Sequence, residues 1–346
     1  MNQLGEVTAR HDFDRAKLAA YLQAHLPGFR GPLDVKQFQG GQSNPTYLLS
    51  TPSASYVMRS KPGPAAKLLA SAHAIEREFR VMTALAAHGI PVPRTLLLVE
   101  DESVIGRAFF VMEHLVGRIF WEQSLPELSI TKRAAIYDEM NRVIAKLHAV
   151  DVEAAGLVDF GKTGNYFARQ IGRWSKQYRA SETESMEAMN CLIEWLPQHI
   201  PPGDETTVVH GDYRMDNLIF HPSEPRIIAV LDWELSTLGH PLADFSYHCM
   251  SWHIPPGAFR GIAGLDYRAL GIPTEQEYRR RYTERTGRAI SHWNFYLAYN
   301  LFRIAAILQG VYKRSTEGIA SSDNAAQAGV RAKGLAEIGW RYAQQM

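Results

Sequence analysis

The periodicity of the apolar residues changes at about Gly117, and this change constrains the fold more than any other feature of the sequence. Before Gly117, short β-branched and aromatic runs separated by turn residues predict strands, as in 33–38, 45–50 and 106–115. After it, apolar residues recur at helical spacing, as in 131–150. Strands gathered in one part of a chain and helices in the other predict an α+β fold. A chain of 346 residues is long enough for about two domains.

Two helices are predicted within the strand-rich part. Residues 12–26 form a leading helix, with Leu18, Leu22 and Leu26 at helical spacing and Pro27 after its end. A second helix over 72–89 lies against an antiparallel sheet, because its apolar residues also follow one face. The part after Gly117 is predicted to be mainly helical.

The charge and cysteine content exclude several classes of protein. The formal net charge is +1, so no global field favours nucleic acid or an anionic membrane surface. Two cysteines are too few for a disulfide framework or a cysteine-based zinc site. No segment offers about 18 consecutive apolar residues or a signal-peptide core. These features predict a soluble cytoplasmic protein without membrane or nucleic-acid partners.

A cluster of polar residues lies between short apolar runs in the segment TTVVHGDYRMDNLIFHPSEPRIIAVLDWE. Asp212 and Asn217 fall close together, and Asp232 follows the next predicted strand. Carboxylate and amide oxygens, together with phosphate and water, are the ligands that Mg²⁺ prefers. Any single Asp in such a loop is more commonly part of an Asx turn with a satisfied side chain. The whole pattern instead favours a cation site.

The motif HGDYRMDN followed by LDWE resembles the catalytic and metal-binding loops of the protein-kinase-like fold, specifically those of the aminoglycoside and choline phosphotransferase superfamily. The resemblance implies that Asp212 orients the acceptor hydroxyl and takes its proton. It implies that Asn217 and Asp232 bind Mg²⁺ beside the phosphates of ATP, and that Arg214 contacts the transferred phosphoryl group.

The resemblance extends to the strand-rich part and implies further nucleotide contacts. The segment GGQSN would cover the phosphates, although by itself it is more typical of an ordinary hairpin turn. The run FFVMEHLVG is similar to the hinge whose backbone pairs with adenine. The implied nucleotide-binding residues of these two segments are Gly40, Gly41, Ser43, Asn44, Glu113 and Leu115.

Arg59 stands where this superfamily has a lysine that contacts ATP, at the end of the run YVMR. An arginine still supplies a fixed cationic fork for phosphate and carboxylate oxygens. Lys61 is an alternative for the same role. Glu78 matches the expected carboxylate partner on the following helix better than Glu76 does, although a helical glutamate is most often solvated.

For other polar and aromatic residues of the helical part, the sequence predicts a structural role or leaves two roles possible. Asp244 and His210 are predicted to brace the catalytic loop rather than to carry protons. Tyr166, Arg169 and Trp174 are candidates for an acceptor pocket and are equally typical of simple packing.

The phrases YVMRSKPGP, HGDYRMDNLIF and VLDWELSTLGHPLADF are most similar to phosphotransferase domains associated with acyl-CoA dehydrogenases. This resemblance implies a bilobal protein-kinase-like fold, with an N-terminal nucleotide-binding lobe at 1–115 and a catalytic, acceptor-binding helical lobe at 116–346. It implies an ATP- and Mg²⁺-dependent kinase whose acceptor is the hydroxyl of a small molecule such as a hydroxylated acyl compound, with a functional link to an acyl-CoA dehydrogenase. The helical half lacks the acidic block expected for polycationic aminoglycosides.

Two alternative functions stay open at this point. His210, His221 and His240 are typical metal ligands, which would suit a metallophosphoesterase. The arginine at position 59 would suit a pseudokinase that binds nucleotide without turnover. The sequence does not decide between ATP and GTP.

Overall fold

The computed structural model describes residues 4–39, 44–62, 74–317 and 327–346. Its internal contacts divide the chain into two compact units, each built from separate segments. The first unit comprises Met1–Ile119, Asp151–Phe160 and Asp216–Ser236. The second comprises Phe120–Val150, Gly161–Met215 and Thr237–Met346. The predicted lobe boundary between residues 115 and 116 stays a prediction.

An antiparallel sheet of six strands forms the centre of the first unit, in the order β1-β2-β3-β4-β6-β5. The strands are β1 (Leu4–Gly5), β2 (Asp34–Phe38), β3 (Thr46–Ser50), β4 (Ser55–Ser60), β5 (Thr95–Val99) and β6 (Phe109–Glu113). Because successive side chains of a strand point to opposite faces, Met58 and Arg59 of β4 lie on different sides of this sheet.

The leading helix, α1 (Arg15–His25), covers one face of the sheet. It begins after Asp14, whose carboxylate accepts a hydrogen bond from the backbone N–H of Lys17 as an N-cap should. Leu18 and Leu22 are fully buried in a cluster with Met58 and other inward residues of the strands. The prediction of a leading helix is confirmed, and burial of its apolar stripe is what fixes it to the sheet.

The second helix, α2 (Ile75–Ala87), belongs to the other face, where Phe79 meets Phe110 of β6 edge to face. Its buried residues recur at helical spacing and are Ile75, Glu78, Val81, Met82 and Leu85. Glu78 therefore occupies a position in an otherwise apolar stripe, which is a costly place for a carboxylate unless it is paired.

A short hairpin completes the first unit. Its strands, β8 (Leu218–Phe220) and β9 (Ile227–Val230), pair antiparallel, with Leu218 opposite Val230. A single 3₁₀ turn follows at Trp233–Leu235, and the buried Trp233 indole donates to the carbonyl of Val230 at 2.9 Å. This bond ties the turn to the end of the hairpin.

The second unit is mainly helical. Its helices are α3 (Ile130–His148), α4 (Tyr166–Ser181), α5 (Glu187–Trp195), α6 (Pro241–Cys249), α7 (Tyr267–Leu270), α8 (Glu275–Thr286), α9 (Trp293–Thr316) and α10 (Ala328–Ala343). Every residue of α6 is buried, and the long helix α9 contacts α4, α6 and α10.

Two short antiparallel strands of the second unit, β7 (Thr207–Val209) and β10 (Thr237–Gly239), position the polar loop. The loop begins at His210 directly after β7, and α6 begins just after β10. In the part of the chain that the structure describes, no helix combines the length and the apolar composition needed to cross a membrane.

Candidate functional site

In the first unit, three carboxylates surround the guanidinium of Arg59. Its Nε lies 3.1 Å from Glu78 Oε2, and its Nη2 lies 3.0 Å from Asp232 Oδ1 and 3.1 Å from Glu234 Oε2. Only 14% of the Arg59 side chain is exposed. A planar guanidinium suits this arrangement, since its several N–H groups can bind more than one carboxylate at the same time.

The carboxylates around Arg59 carry more negative charge than one guanidinium can neutralise. Burial raises the pKa of Glu78 to about 7, with Asp232 and Glu234 adding to the effect against the opposing influence of Arg59. Burial would lower the pKa of Arg59, but its carboxylate partners outweigh burial and raise it. Arg59 therefore stays charged, and the surplus of carboxylate oxygens can accept a further cation.

Lys61, the alternative to Arg59, forms a different ion pair. Its Nζ lies 3.1 Å from Glu76 Oε1, and about a third of each side chain is exposed. Each basic residue therefore pairs with a different candidate glutamate: Arg59 with the buried Glu78, and Lys61 with Glu76. Partly exposed ion pairs such as that between Lys61 and Glu76 contribute little to the stability of the folded protein.

The predicted phosphate-covering segment lies largely outside the described residues, including Gly40, Gly41 and Ser43. Asn44 is described and buried, and its Nδ2 donates to Glu78 Oε1 at 3.0 Å. Asn44 therefore stabilises the carboxylate that pairs with Arg59.

The predicted hinge follows the end of β6. Glu113 is the last residue of that strand, and its backbone N–H donates to the carbonyl of Arg94 at 2.9 Å. Leu115 is half-buried in the segment after the strand. Their role toward adenine stays a prediction.

Asn217 and Asp232 lie at the same end of the β8–β9 hairpin. Asn217 directly precedes β8, and its carbonyl accepts a hydrogen bond from the N–H of Leu231 at 2.8 Å. Asp232 is the next residue after Leu231, so pairing of the strands brings the predicted metal ligands to one edge.

Asp232 adopts a left-handed backbone conformation, with φ 67° and ψ 60°. This conformation is uncommon for residues other than glycine, although Asp tolerates it better than most. Such outliers occur where the surrounding structure holds a side chain for function. Here the conformation accompanies the contact between Asp232 and Arg59.

The donor set at this edge suits a hard divalent cation. An amide from Asn217 and carboxylates from Asp232 and Glu234 supply oxygen ligands of the type that Mg²⁺ binds, with its remaining positions taken by phosphate and water. The described residues contain no cluster of three or more His, Cys, Asp and Glu side chains arranged as a complete metal site. Mg²⁺ commonly binds proteins through one or two carboxylates plus substrate phosphates.

In the second unit, Asp244 of α6 braces the polar loop. Its carboxylate accepts hydrogen bonds from the N–H groups of His210 at 2.7 Å and Gly211 at 2.8 Å, and it lies 3.2 Å from Nε2 of His148. Burial alone would raise the pKa of Asp244, but His148 and these N–H groups bring it below its usual value. Gly211 has φ +81°, a conformation that favours glycine. The structural role predicted for Asp244 agrees with these contacts.

Both carboxylate oxygens of Asp212 are engaged in the second unit. The hydroxyl of Tyr247, on α6, donates a hydrogen bond to Oδ1. Nε of Arg214 lies 3.1 Å from Oδ2. The backbone N–H of Asp212 donates to Nδ1 of His210 at 3.1 Å, so His210 orients the loop as predicted. Asp212 is thus an oriented carboxylate.

Arg303 of α9 holds the same loop from another side. Its Nη2 donates to the carbonyl of Gly211 at 2.7 Å. Its guanidinium lies 5.2 Å from the centre of the Tyr247 ring and 5.7 Å from that of Trp174. The loop that contains Asp212 therefore lies against side chains from α4, α6 and α9.

The three candidates for an acceptor pocket differ in their contacts. Tyr166 and Trp174 have buried rings in the second unit. Arg169 donates instead to the backbone carbonyls of Lys162 and Thr163. Arg169 therefore stabilises the turn that precedes its own helix.

The three histidines that would suit a metallophosphoesterase have local structural contacts. His240 accepts from the N–H of Leu242 and so caps α6, and burial lowers its pKa to about 4. His221 contacts the turn at Ser223 and Glu224. His210 contacts Asp212 as described above. These contacts give the hydrolase alternative no support.

Sequence reasoning missed Glu234, Tyr247 and Arg303. Glu234 stands in the LDWE motif itself, so its acidic side chain two residues after Asp232 could have been noticed. Arg303 is a single charge inside the apolar stretch FYLAYNLFRIAAIL, which indicates a buried polar contact without identifying its partner. Tyr247 carries no comparable signal.

Residues 34–282 match the model of the phosphotransferase enzyme family, so the chain belongs to this family. The membership confirms the predicted enzyme class, a phosphotransferase with an alcohol group as acceptor, and the recognised superfamily.

Among curated proteins, the chain is similar to mouse "Acyl-CoA dehydrogenase family member 10", with 51% identity over 330 residues. The alignment covers 93% of this chain and 31% of the mouse protein. The chain thus spans about a third of that relative, and the predicted similarity to proteins named for acyl-CoA dehydrogenases is confirmed.

Solved structures confirm the fold class. The crystal structure of a Ralstonia eutropha protein named as an aminoglycoside phosphotransferase is 61% identical, with a TM-score of 0.90, and the match covers 96% of this chain and 99% of that one. A ternary complex of aminoglycoside phosphotransferase APH(4)-Ia with AMP-PNP and hygromycin B is 16% identical, with a TM-score of 0.61 and coverage of 94% and 98%. The second match concerns the fold alone.

Proposed function

We propose that the chain transfers the γ-phosphoryl group of ATP to the hydroxyl of a hydroxylated acyl compound. The observation that carries this proposal is the arrangement of Glu78, Asp232 and Glu234 around Arg59. A buried cation held by a helix carboxylate next to candidate metal ligands is the arrangement that phosphoryl transfer needs, since its catalysis depends on positioning and charge stabilisation.

On the nucleotide side, Arg59 would bind phosphate oxygens while Glu78 and Asn44 hold its position. Asn217 and Asp232 would hold Mg²⁺, with Glu234 as a further carboxylate nearby. When bound, the metal would neutralise negative charge on the phosphates. The relative APH(4)-Ia was solved with the nucleotide analogue AMP-PNP, which supports nucleotide binding by this fold.

On the acceptor side, Asp212 would orient the hydroxyl and accept its proton. The contacts from Tyr247 and Arg214 support this role, because they fix the carboxylate in one orientation. Arg214 would then contact the transferred phosphoryl group.

The acceptor class rests on two arguments. The mouse relative is named for acyl-CoA dehydrogenases, which supports an acyl compound and a functional link to such an enzyme. The loop that contains Asp212 is contacted by the cationic Arg303, which is unsuited to a polycationic aminoglycoside.

The proposal is tested by ADP formation with Mg·ATP and a panel of acceptors. The panel contains hydroxy acids with the hydroxyl at successive carbons, their coenzyme A thioesters, and hygromycin B. We expect acceptor-dependent ADP formation with a hydroxylated acyl compound and none with hygromycin B. Stimulation by hygromycin B alone would contradict the proposed acceptor, and replacing ATP by GTP measures the base preference.

Asp232→Ala should weaken the binding of Mg·ATP by at least about tenfold, because the metal loses a charged oxygen ligand. The measurement is calorimetric titration with a non-hydrolysable ATP analogue at saturating Mg²⁺. Asp159→Ala is the matched control, since this exposed carboxylate of the same unit pairs with Arg80 instead. Equal nucleotide affinity of Asp232→Ala and the wild type would refute the metal assignment.

A further inference from the structure

Arg303 is a buried cation with unused hydrogen-bonding capacity. Only 7% of the residue is exposed, and its one hydrogen bond in the described chain goes to the carbonyl of Gly211. Among the described residues, no carboxylate oxygen lies within 4.0 Å of its guanidinium. Burial would lower the pKa of Arg303, but nearby groups that include Tyr299 and Asp212 outweigh burial and raise it, so the guanidinium stays charged.

Trp174 supplies a second unused donor at the same place. Its ring is also 7% exposed, and its Nε1 is buried without a hydrogen-bond partner in the described chain. The Arg303 guanidinium lies 5.7 Å from the centre of this ring. Buried indole N–H groups normally find a partner, so the unsatisfied N–H of Trp174 beside the Arg303 guanidinium calls for an oxygen acceptor.

These donors lie next to Asp212 in the second unit. Arg303 binds the carbonyl of the residue that directly precedes Asp212, and it lies 5.2 Å from the ring of Tyr247, whose hydroxyl contacts Asp212. An oxygen bound by Arg303 and Trp174 would therefore belong to a molecule whose other groups are close to the Asp212 carboxylate.

We propose that Arg303 and Trp174 form a subsite that binds the carboxyl or carbonyl oxygen of the acceptor while its hydroxyl is at Asp212. This inference rests on the proposed function and makes it more specific. The subsite selects an acceptor that carries an acyl oxygen near its hydroxyl over a plain alcohol. The free carboxylate and the thioester carbonyl are two sources of that oxygen, and the experiment separates them.

The experiment compares kcat/KM for three acceptors: β-hydroxybutyrate, its pantetheine thioester, and sec-butanol, which has a methyl group in place of the carboxylate. The wild type should prefer one of the two acyl probes to sec-butanol. Arg303→Lys should reduce this preference by about 10- to 100-fold, because an ammonium on a flexible stem cannot reproduce the fixed geometry of the guanidinium. Trp174→Phe should reduce it by about 2- to 10-fold, the range for loss of a neutral hydrogen bond. KM for Mg·ATP should not change in either variant.

Two variants, one expected to reduce the preference and one expected to leave it intact, separate acceptor recognition from structural support of the loop. Trp174→Phe keeps an aromatic ring and does not touch the Gly211 carbonyl, so it tests the subsite without loosening the loop. Trp252→Phe removes an indole that donates to the carbonyl of Pro273 at 2.9 Å and should leave the preference intact. An unchanged preference in Arg303→Lys and Trp174→Phe, or an equal loss with all three probes, would overturn the subsite.

Binding of the acyl probes without nucleotide distinguishes failure of the subsite from failure of the kinase proposal. If the wild type binds β-hydroxybutyrate or its thioester but Arg303→Lys does not, the subsite is supported even without phosphoryl transfer to any acceptor. If phosphoryl transfer occurs but neither the preference nor the binding depends on Arg303 and Trp174, the kinase proposal stands and the subsite is wrong. A preference for the thioester assigns the oxygen to the carbonyl, and one for the free acid to the carboxylate.

Discussion

Asp212→Asn should lower turnover by a factor of about 10² to 10⁴, which is the range for loss of a positioned general base. The fold and the affinity for Mg·ATP should stay unchanged. Asparagine has nearly the same shape and can still accept the hydrogen bond from Tyr247 through its amide oxygen. It cannot take a proton from the acceptor, and it loses the ion pair with Arg214. The effect should therefore appear in kcat alone.

Single-turnover phosphorylation under saturating Mg·ATP measures this effect, with thermal unfolding as a check on the fold. Asp138→Asn is the control, because this carboxylate of the same unit forms a half-exposed ion pair with Arg285. Its turnover should equal that of the wild type. Unchanged turnover in Asp212→Asn would remove Asp212 from the catalytic role.

Arg59→Ala should cause a comparable loss of activity, since it removes the cation proposed to bind phosphate and leaves three carboxylates without it. Removal of one partner from a buried ion pair typically costs about 3 to 5 kcal/mol of stability, so the unfolding temperature should also fall. Compared with Arg59→Ala, Arg59→Lys should recover part of the stability and part of the activity. Recovery should be incomplete, because a lysine cannot contact several oxygens with one planar group.

Glu78→Gln should show a smaller loss of activity than Arg59→Ala, and the two losses should not add in the double variant. Residues that share one interaction couple in a double-mutant cycle. Additive effects would mean that the ion pair between Arg59 and Glu78 does not act as one unit in phosphoryl transfer.

Lys61→Ala separates the two possible phosphate contacts. Its ion pair with Glu76 is partly exposed, and we expect its removal to change phosphorylation rates little. If Lys61→Ala abolished activity and Arg59→Ala were nearly silent, the assignment of the nucleotide contact would be reversed.

The predicted elements follow from local patterns. The apolar stripe of α2 and the short strand β4 can be predicted from short windows of sequence, and the resemblance to the family motif indicates Asp212, Asn217 and Asp232. The resemblance also favours Glu78 over Glu76 as the carboxylate partner of Arg59. In the structure it lies on the buried face of α2, whereas Glu76 is on a more exposed side.

The remaining site residues depend on contacts distant in sequence. Arg59 meets Asp232 across 173 positions, Tyr247 meets Asp212 across 35, and Arg303 meets Gly211 across 92. Periodicity gives the face on which such a side chain lies, but not its partner. The unsatisfied N–H of Trp174 beside the Arg303 guanidinium is visible only after the helices have packed together.

The most direct test of the central claim follows oxygen-18 from labelled ATP into the products. The γ-phosphoryl oxygens are labelled, and the acceptor is recovered and analysed by mass spectrometry. We predict that the label appears in a phosphate ester of the acceptor hydroxyl, with one ADP formed for each ester, and that the ester is absent without Mg²⁺. Label found only in inorganic phosphate would indicate a phosphohydrolase, and bound ATP with no label transferred would indicate a pseudokinase; either result would contradict the proposed phosphoryl transfer.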